Sequence, residues 1–116
     1  MTFDVEIVLR DRNYAVTERV EHTTEAAAWG DADVEAVLKQ ILLAIDRVKN
    51  PDADRRFVAL RGFSWIVEPA NGHVVIAIEI PMGAAVAGPF AIEQPRLDGM
   101  IRRVIAAAAI PGPTIH

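Results

Sequence analysis

The 116-residue sequence contains no cysteine, few aromatic residues (6%) and no excess of basic charge. The lack of cysteine excludes disulfide scaffolds, cysteine-ligated zinc sites, iron–sulfur clusters and thiol catalysis. There are 12 Lys and Arg residues against 16 Asp and Glu residues, so the formal net charge is −4. An acidic chain offers no general electrostatic attraction to DNA, RNA or an anionic membrane, and we expect none of these as the main partner.

Long hydrophobic runs are also missing. The most apolar stretch, residues 101–110, begins with Arg102 and Arg103 and is too short to span a bilayer. Residues 2–10 carry Asp4 and Glu6 among their apolar positions, which is unlike the unbroken apolar run of a signal peptide. The sequence therefore predicts a cytoplasmic protein.

The composition that remains is that of a globular domain, with 52% hydrophobic and 24% charged residues. The length corresponds to one domain, which we place at residues 1–110, with residues 111–116 as a flexible tail. A chain of this size buries enough surface to fold without a disulfide or a metal ion.

The first half of the chain shows two hydrophobic periodicities, the alternation of a strand and the three-to-four spacing of a helix. Strict alternation over residues 2–10 predicts a strand, and residues 14–22 predict a second strand paired with it as a hairpin. A short helical turn over residues 25–29 precedes a long helix, which ends at Asn50-Pro51. The apolar stripe of that helix recurs at intervals of three and four and comprises Val34, Val37, Leu38, Ile41, Leu42, Ile45 and Val48.

The second half shows a similar order. Residues 57–68 predict a third strand, Asn71-Gly72 predicts a type I′ turn, and residues 73–80 predict a fourth strand. Residues 81–94 contain mostly small side chains and are interpreted as a loop. A second helix is predicted from Pro95 onward, since proline is favoured in the first turn of a helix.

These elements predict an α+β fold with a four-stranded, mainly antiparallel sheet, the order ββαββα and both helices on one face. The chain would consist of two ββα halves, residues 1–50 and 56–110. The other sheet face would hold Val8, Val75, Ala77 and part of the third strand, and so would be too apolar for a fully solvated surface. We therefore expect a homodimer or higher oligomer formed through this face, the alternative being a curled fourth strand that alternates poorly.

Motifs for cofactors and metals are absent. Gly83 and Gly88 have the spacing of a phosphate loop, but Pro89 and Phe90 stand where that motif requires Lys and Ser or Thr. The three histidines show no metal-ligand spacing, and no nucleophile elbow is present. The sequence predicts neither a cofactor nor a metal ion.

Four residues are candidates for acid–base chemistry: Glu18, Glu68, His73 and Glu79. Glu18 lies between two valines on a strand face that is otherwise apolar, where burial raises the pKa of a carboxyl group. Glu68 and His73 flank the Asn-Gly turn and could face each other across the hairpin, an arrangement that orients an imidazole as a base. The alternatives are an edge strand that turns Glu18 to water and an ordinary surface pair at the hairpin.

Four further residues are candidates for binding. Arg96, Arg102 and Arg103 belong to the second helix and could hold an anion or an acidic partner, unless they form a solvated helix face. Trp29 stands before Gly30 and could line a pocket or an interface, unless it belongs to the core.

The leading hypothesis is a non-enzymatic α+β module that acts by self-association and by binding a protein or a small ligand. The alternative is a small-metabolite enzyme with a carboxylate acid–base site at a subunit interface. A deep interface pocket lined by the four acid–base candidates would favour the enzyme, whereas a flat and dry interface would favour the module.

Overall fold

The computed structural model describes residues 1–109, so the predicted domain end at residue 110 and the predicted tail 111–116 lie outside the described residues. Five strands and two helices form an α+β domain. In chain order they are β1 (Thr2–Leu9), β2 (Ala15–Glu21), α1 (Asp31–Lys49), β3 (Ser64–Ala70), β4 (His73–Ile80), β5 (Gly83–Phe90) and α2 (Gln94–Ala109). A single turn of 3₁₀ helix, Ala26–Ala28, precedes α1, within the short helical turn predicted there.

The five strands form one antiparallel sheet in the order β2-β1-β5-β4-β3. Three hairpins, β1–β2, β3–β4 and β4–β5, supply the local pairing. Asn71 and Gly72 join β3 to β4 with φ angles of 52° and 84°, both in the left-handed region that a type I′ turn requires. The pairing of β1 with β5 is the only one that joins the two ends of the described chain.

The prediction of four strands is wrong, because residues 83–90 form a fifth strand in the middle of the sheet rather than a loop. Glycine, alanine and proline are depleted in strands, so composition alone indicates a loop here. Ala85 and Ala87 are nevertheless buried under the helices, where small side chains leave room for the larger ones of α1 and α2. A bulge between β4 and β5 accommodates Pro89, since a bulge is where a central strand tolerates proline.

The third strand is also shifted from its predicted range of residues 57–68. It spans Ser64–Ala70, and the segment before it is irregular, with Gly62 at a φ of 79° and Phe57 89% exposed. The order of elements is therefore ββα followed by βββα, and the two halves of the chain are not equivalent.

Because side chains alternate along a strand, every second side chain of each strand points toward the helices. Strand β1 buries Phe3, Val5, Ile7 and Leu9 on that side, and α1 buries most of its predicted stripe against them. Helix α2 completes the layer with Leu97, Met100, Ile101 and Val104. At ~25 cal/mol per Å² of buried apolar surface, this single core is the main source of stability.

Both ends of α1 are satisfied by polar groups. Gly30 is the N-cap residue, and its backbone N–H donates to Asp33 Oδ2 at 3.0 Å. At the other end Arg56 reaches back from the loop. Its Nη1 donates to the carbonyl oxygens of Asp46 (3.1 Å) and Asn50 (2.9 Å) and to Asp46 Oδ2 (2.8 Å). These contacts pair carbonyl groups that a helix C-terminus otherwise leaves free.

Candidate binding surface

The side of the sheet opposite the helices, here called the open face, is not covered by any element of residues 1–109. The register places side chains from all five strands on it in cross-strand rows. One row runs from Glu6 through Val86 and Ala77 to Ile66, and the next contains Val8, Ala84, Glu79 and Ser64. Neighbours within a row are within side-chain contact distance, so the residues of this face act as one surface.

The centre of the open face is apolar. Ile66, Val8 and Val86 expose 52%, 44% and 43% of their surface, although each belongs to a regular strand. The group that we call the apolar centre comprises Val8, Ile66, Val75, Ala77, Ala84 and Val86. A shallow depression of about 310 Å³ lies over it, between β3, β4 and β5.

Carboxylates lie beside and among the residues of the apolar centre. Asp4 and Glu6 lie on the β1 side of it, Glu68 lies on β3, and Glu79 lies on β4. Glu21 adds a fifth carboxylate at the end of β2. Among the strand residues of the described part of the chain, Arg19 is the one cation on this face, and its Nε donates to Asp4 Oδ1 at 3.2 Å. Arg10, which follows β1, lines a depression with Ser64 and Glu79. The acidic rim, which we define as these five carboxylates, therefore carries a clear excess of negative charge.

The four acid–base candidates are not brought together. Glu18 points to the helix side at the sheet edge, where its Oε1 accepts a hydrogen bond from Arg47 Nε at 2.8 Å. Its side chain is 26% exposed, so the carboxylate is a half-buried ion-pair partner. Glu68, His73 and Glu79 lie on the open face, and the row of Ala77 and Ile66 separates Glu68 from Glu79.

The predicted facing pair of Glu68 and His73 is wrong by register. Because β3 continues to Ala70, His73 is opposite Ala70 and Glu68 is opposite Val75. The nearest polar contact of the His73 ring is the carbonyl oxygen of Asn71 at 3.5 Å, so the carboxylate does not orient the ring. Glu79 is exposed, because residues 83–90, interpreted from the sequence as a loop, form strand β5 beside β4 and do not cover it.

The three arginine candidates all make contacts within the domain. Arg96 donates to the carbonyl oxygens of Ala27 (2.6 Å) and Trp29 (2.7 Å), which ties α2 to the 3₁₀ turn. Both Arg103 Nε and Nη2 donate to the carboxylate of Asp31 at 3.0 Å, a bidentate pair between α2 and α1.

That bidentate pair also perturbs the acid. The hydrogen bond from Arg103 lowers the pKa of Asp31, because it stabilises the carboxylate. Arg102 donates to Asp98 Oδ2 at 2.6 Å, and its guanidinium lies 5.5 Å from the centre of the Trp65 ring. Arg96 and Arg103 therefore link α2 to the segment before α1 and to α1 itself, whereas Arg102 pairs within α2 and stacks on Trp65 of β3.

Trp29 belongs to the core. It is 1% exposed, packs against Phe90 with ring centroids 5.0 Å apart, and its Nε1 donates to the carbonyl oxygen of Thr24 at 2.8 Å. An indole N–H that reaches a backbone acceptor is the usual arrangement of a buried tryptophan. The side chain therefore lines no open surface.

One polar pair was not anticipated from the sequence. His22 follows β2 and packs edge-on against Trp29, and its Nε2 lies 3.0 Å from Asp33 Oδ1. The Gly30 N–H and then the His22 ring lower the pKa of Asp33. The segment that connects β2 to α1 brings His22 and Asp33 together. The second carboxylate oxygen of Asp33 accepts the Gly30 N–H at the start of α1, so the pair belongs to that helix end.

Metal-binding chemistry has no support in the part of the chain that the structure describes, since no group of three His, Asp or Glu side chains there could hold an ion. Within the same residues, neither helix combines the length and the apolar character needed to cross a bilayer.

Comparison with known proteins gives no relative. No family model matches the chain, and the comparisons with curated proteins and with solved structures find no significant match. The open face is therefore the feature of the molecule that bears on function.

Proposed function

We propose that this protein is a non-enzymatic binding module that docks another protein on its open face. The observation that carries the proposal is the apolar centre, which is left uncovered on a sheet whose other face lies under two helices. Contiguous apolar surface on a soluble domain marks an interaction site more often than it marks a solvated sheet. The proposal takes the cytoplasm as its location, with which a chain without cysteine is compatible.

The shape of the surface supports docking rather than catalysis. The depression is shallow and open, and of the acid–base candidates only Glu79 lines it. Enzyme sites are concave and bring several polar groups to one point, whereas a protein-docking surface has an apolar centre and a polar rim. The open face has the second arrangement.

The homo-oligomer predicted from the sequence would use this same face. We favour a different protein as the occupant, because two copies placed face to face would bring two acidic rims together. A stable dimer that buries the open face would replace this part of the proposal.

Position-specific cross-linking tests the proposal. A photoreactive phenylalanine analogue is placed at Val86 in the apolar centre and, as the matched control, at Glu35 on the exposed side of α1. We expect an adduct in source cells from position 86 and none from position 35, and we expect Ile66→Lys to abolish it. The mass of the adduct identifies the occupant as another protein or a second copy. Equal adducts from both positions, or none from position 86, would contradict docking on the open face.

A further inference from the structure

The charged and apolar residues of the open face indicate the chemistry of its partner. We infer that its occupant is a basic amphipathic helix: an apolar stripe that covers the apolar centre, flanked by Lys and Arg side chains that pair with the acidic rim. This inference rests on the proposed function and specifies the chemistry of the docked segment.

The negative charge of the acidic rim indicates the charge of the partner. Asp4 and Glu6 lie on one side of the apolar centre and Glu68 lies on the other, with Glu79 among the apolar residues of the β4–β5 pair. Of the cations near this face within residues 1–109, Arg19 is paired with Asp4, and Arg10, which follows β1, lines a depression with Ser64 and Glu79. Partner cations on both sides of an apolar stripe would therefore meet carboxylates on both sides of the centre, whereas acidic flanks would meet like charge.

The backbone pairing of the central strands favours a helix over an extended segment. Strands β1, β5 and β4 are each paired on both sides, so their N–H and C=O groups are used within the sheet. An extended segment laid on this face would find no backbone partners for its own polar groups, whereas a helix satisfies them internally. The opposite face of the same sheet already packs against helices in this way.

The dimensions agree with this choice. Three strand spacings separate β1 from β3, which amounts to roughly 14 Å across the sheet. A helix rises 1.5 Å per residue, so about ten residues, or three turns, cover that distance. A helical segment of that length presents one apolar residue per turn to the centre and cations near each end to the rim.

The salt dependence of binding separates this occupant from a second copy. Screening weakens the attraction between a basic helix and the acidic rim, so salt lowers the affinity. Screening also weakens the repulsion between two acidic rims, so salt would favour a dimer through the same face. The two occupants therefore predict opposite responses to added sodium chloride.

The experiment uses the full chain and three synthetic peptides of about 14 residues, a length that gives four helical turns. The first has a leucine stripe flanked by lysines, the second has glutamates in place of the lysines, and the third is a scrambled form of the first with no stripe. Fluorescence anisotropy measures affinity, and amide chemical shifts locate the binding surface.

We expect the lysine peptide to bind at least about tenfold more tightly than either of the others and to lose about tenfold in affinity between roughly 0.05 and 0.5 M salt. The largest shifts should fall on the amides of Ala77 and Val86. The double variant Glu6→Gln/Glu79→Gln should weaken binding several-fold. The matched control Glu35→Gln, on the helix side, should leave it unchanged.

Each contrary outcome is specific. If the glutamate peptide binds the open face as tightly as the lysine peptide, the inferred charge is wrong while docking on this face survives. If the scrambled peptide binds equally well, no helix is recognised. If the protein instead forms a dimer that strengthens with salt, the occupant is a second copy. Shifts confined to α1 and α2 would overturn both the inference and the proposed function.

Discussion

The arginine side chains show how much of a residue's role can be predicted before the fold is known. Arg96 and its two acceptors are 67 and 69 positions apart along the chain, and Arg103 and Asp31 are separated by 72. Helical spacing indicates which arginines share a helix, but it gives no information about partners at such separations. The sequence could therefore nominate these residues for binding, while their use as links between elements required the fold.

The carboxylates of α1 make stability depend on pH. Hydrogen bonds lower the pKa of Asp33, chiefly from Gly30, and that of Asp46, chiefly from the Asn50 side chain and then from Arg56. A group with a lowered folded-state pKa stabilises the fold fully above its unfolded-state pKa. That contribution is lost as the pH falls through the folded-state pKa.

We predict that Asp33→Asn lowers the free energy of unfolding at pH 7 and that the difference from the wild type shrinks as the pH falls toward 3. The reason is that the protonated aspartic acid, like asparagine, carries no charge to stabilise the capping hydrogen bond. Urea unfolding at a series of pH values measures this difference.

Asp52→Asn is the control for that series, because Asp52 lies in the exposed loop after α1 and makes no side-chain hydrogen bond within residues 1–109. A difference between Asp33→Asn and wild type that stays constant with pH would show that charge at Asp33 does not stabilise the helix start.

At the scale of elements, periodic segments were predictable and the small-residue strand was not. The stripe of α1 and the alternation of β1 both report burial on one side, which is what periodicity measures. Strand β5 alternates too, but with Ala85 and Ala87 as its buried residues, so the contrast with its outward positions is weak. Its place in the sheet depends on packing beneath the helices and on pairing with β1, and local composition records neither.

Gly83 illustrates that dependence. A Cβ built at this position would run into the carbonyl oxygen of Val8, so glycine lets the start of β5 approach β1. This requirement comes from a strand more than 70 positions away, and a glycine in a loop looks the same in the sequence.

The stripe of α1 is tested by truncation. Leu38→Ala and Ile41→Ala should each lower the free energy of unfolding by about 2–5 kcal/mol, as large-to-small changes in a core do. Both side chains are 0% exposed. Lys39→Ala should change it by less than about 0.5 kcal/mol, because Lys39 forms only an exposed pair with Glu35. Similar losses at all three positions in urea melts would contradict the placement of this helix face.

At the scale of the whole molecule, the class of fold and the helix layer followed from the sequence, whereas the order of strands did not. Short loops predict which strands pair as hairpins, but the β1–β5 pair joins residues about 80 positions apart. The uncovered sheet face was anticipated from Val75 and Ala77. Its acidic rim emerged only once the register placed Glu6, Glu68 and Glu79 around the same centre.

The β1–β5 pair also lies at the boundary between two parts of the molecule. Residues before the loop at 51–63 contribute β2, β1 and α1, and those after it contribute β3, β4, β5 and α2. The two parts meet through the β1–β5 pair, the packing of α1 on α2 and on β5, the contact of Trp29 with Phe90, and the ion pair of Arg103 with Asp31. Each part holds only half of a shared core, so neither is expected to be stable alone.

This division makes the chain a candidate for fragment complementation. When separately produced fragments 1–53 and 54–116 are mixed, we expect them to reassemble with a native-like amide spectrum, while each alone gives the narrow dispersion of an unfolded chain. Native mass spectrometry measures the one-to-one complex. Gly83→Val in the second fragment should prevent reassembly, because its side chain would block the approach to Val8, whereas Ala84→Ser on the exposed side should not. A pair of fragments that behaves in this way would join any two proteins to which they are fused.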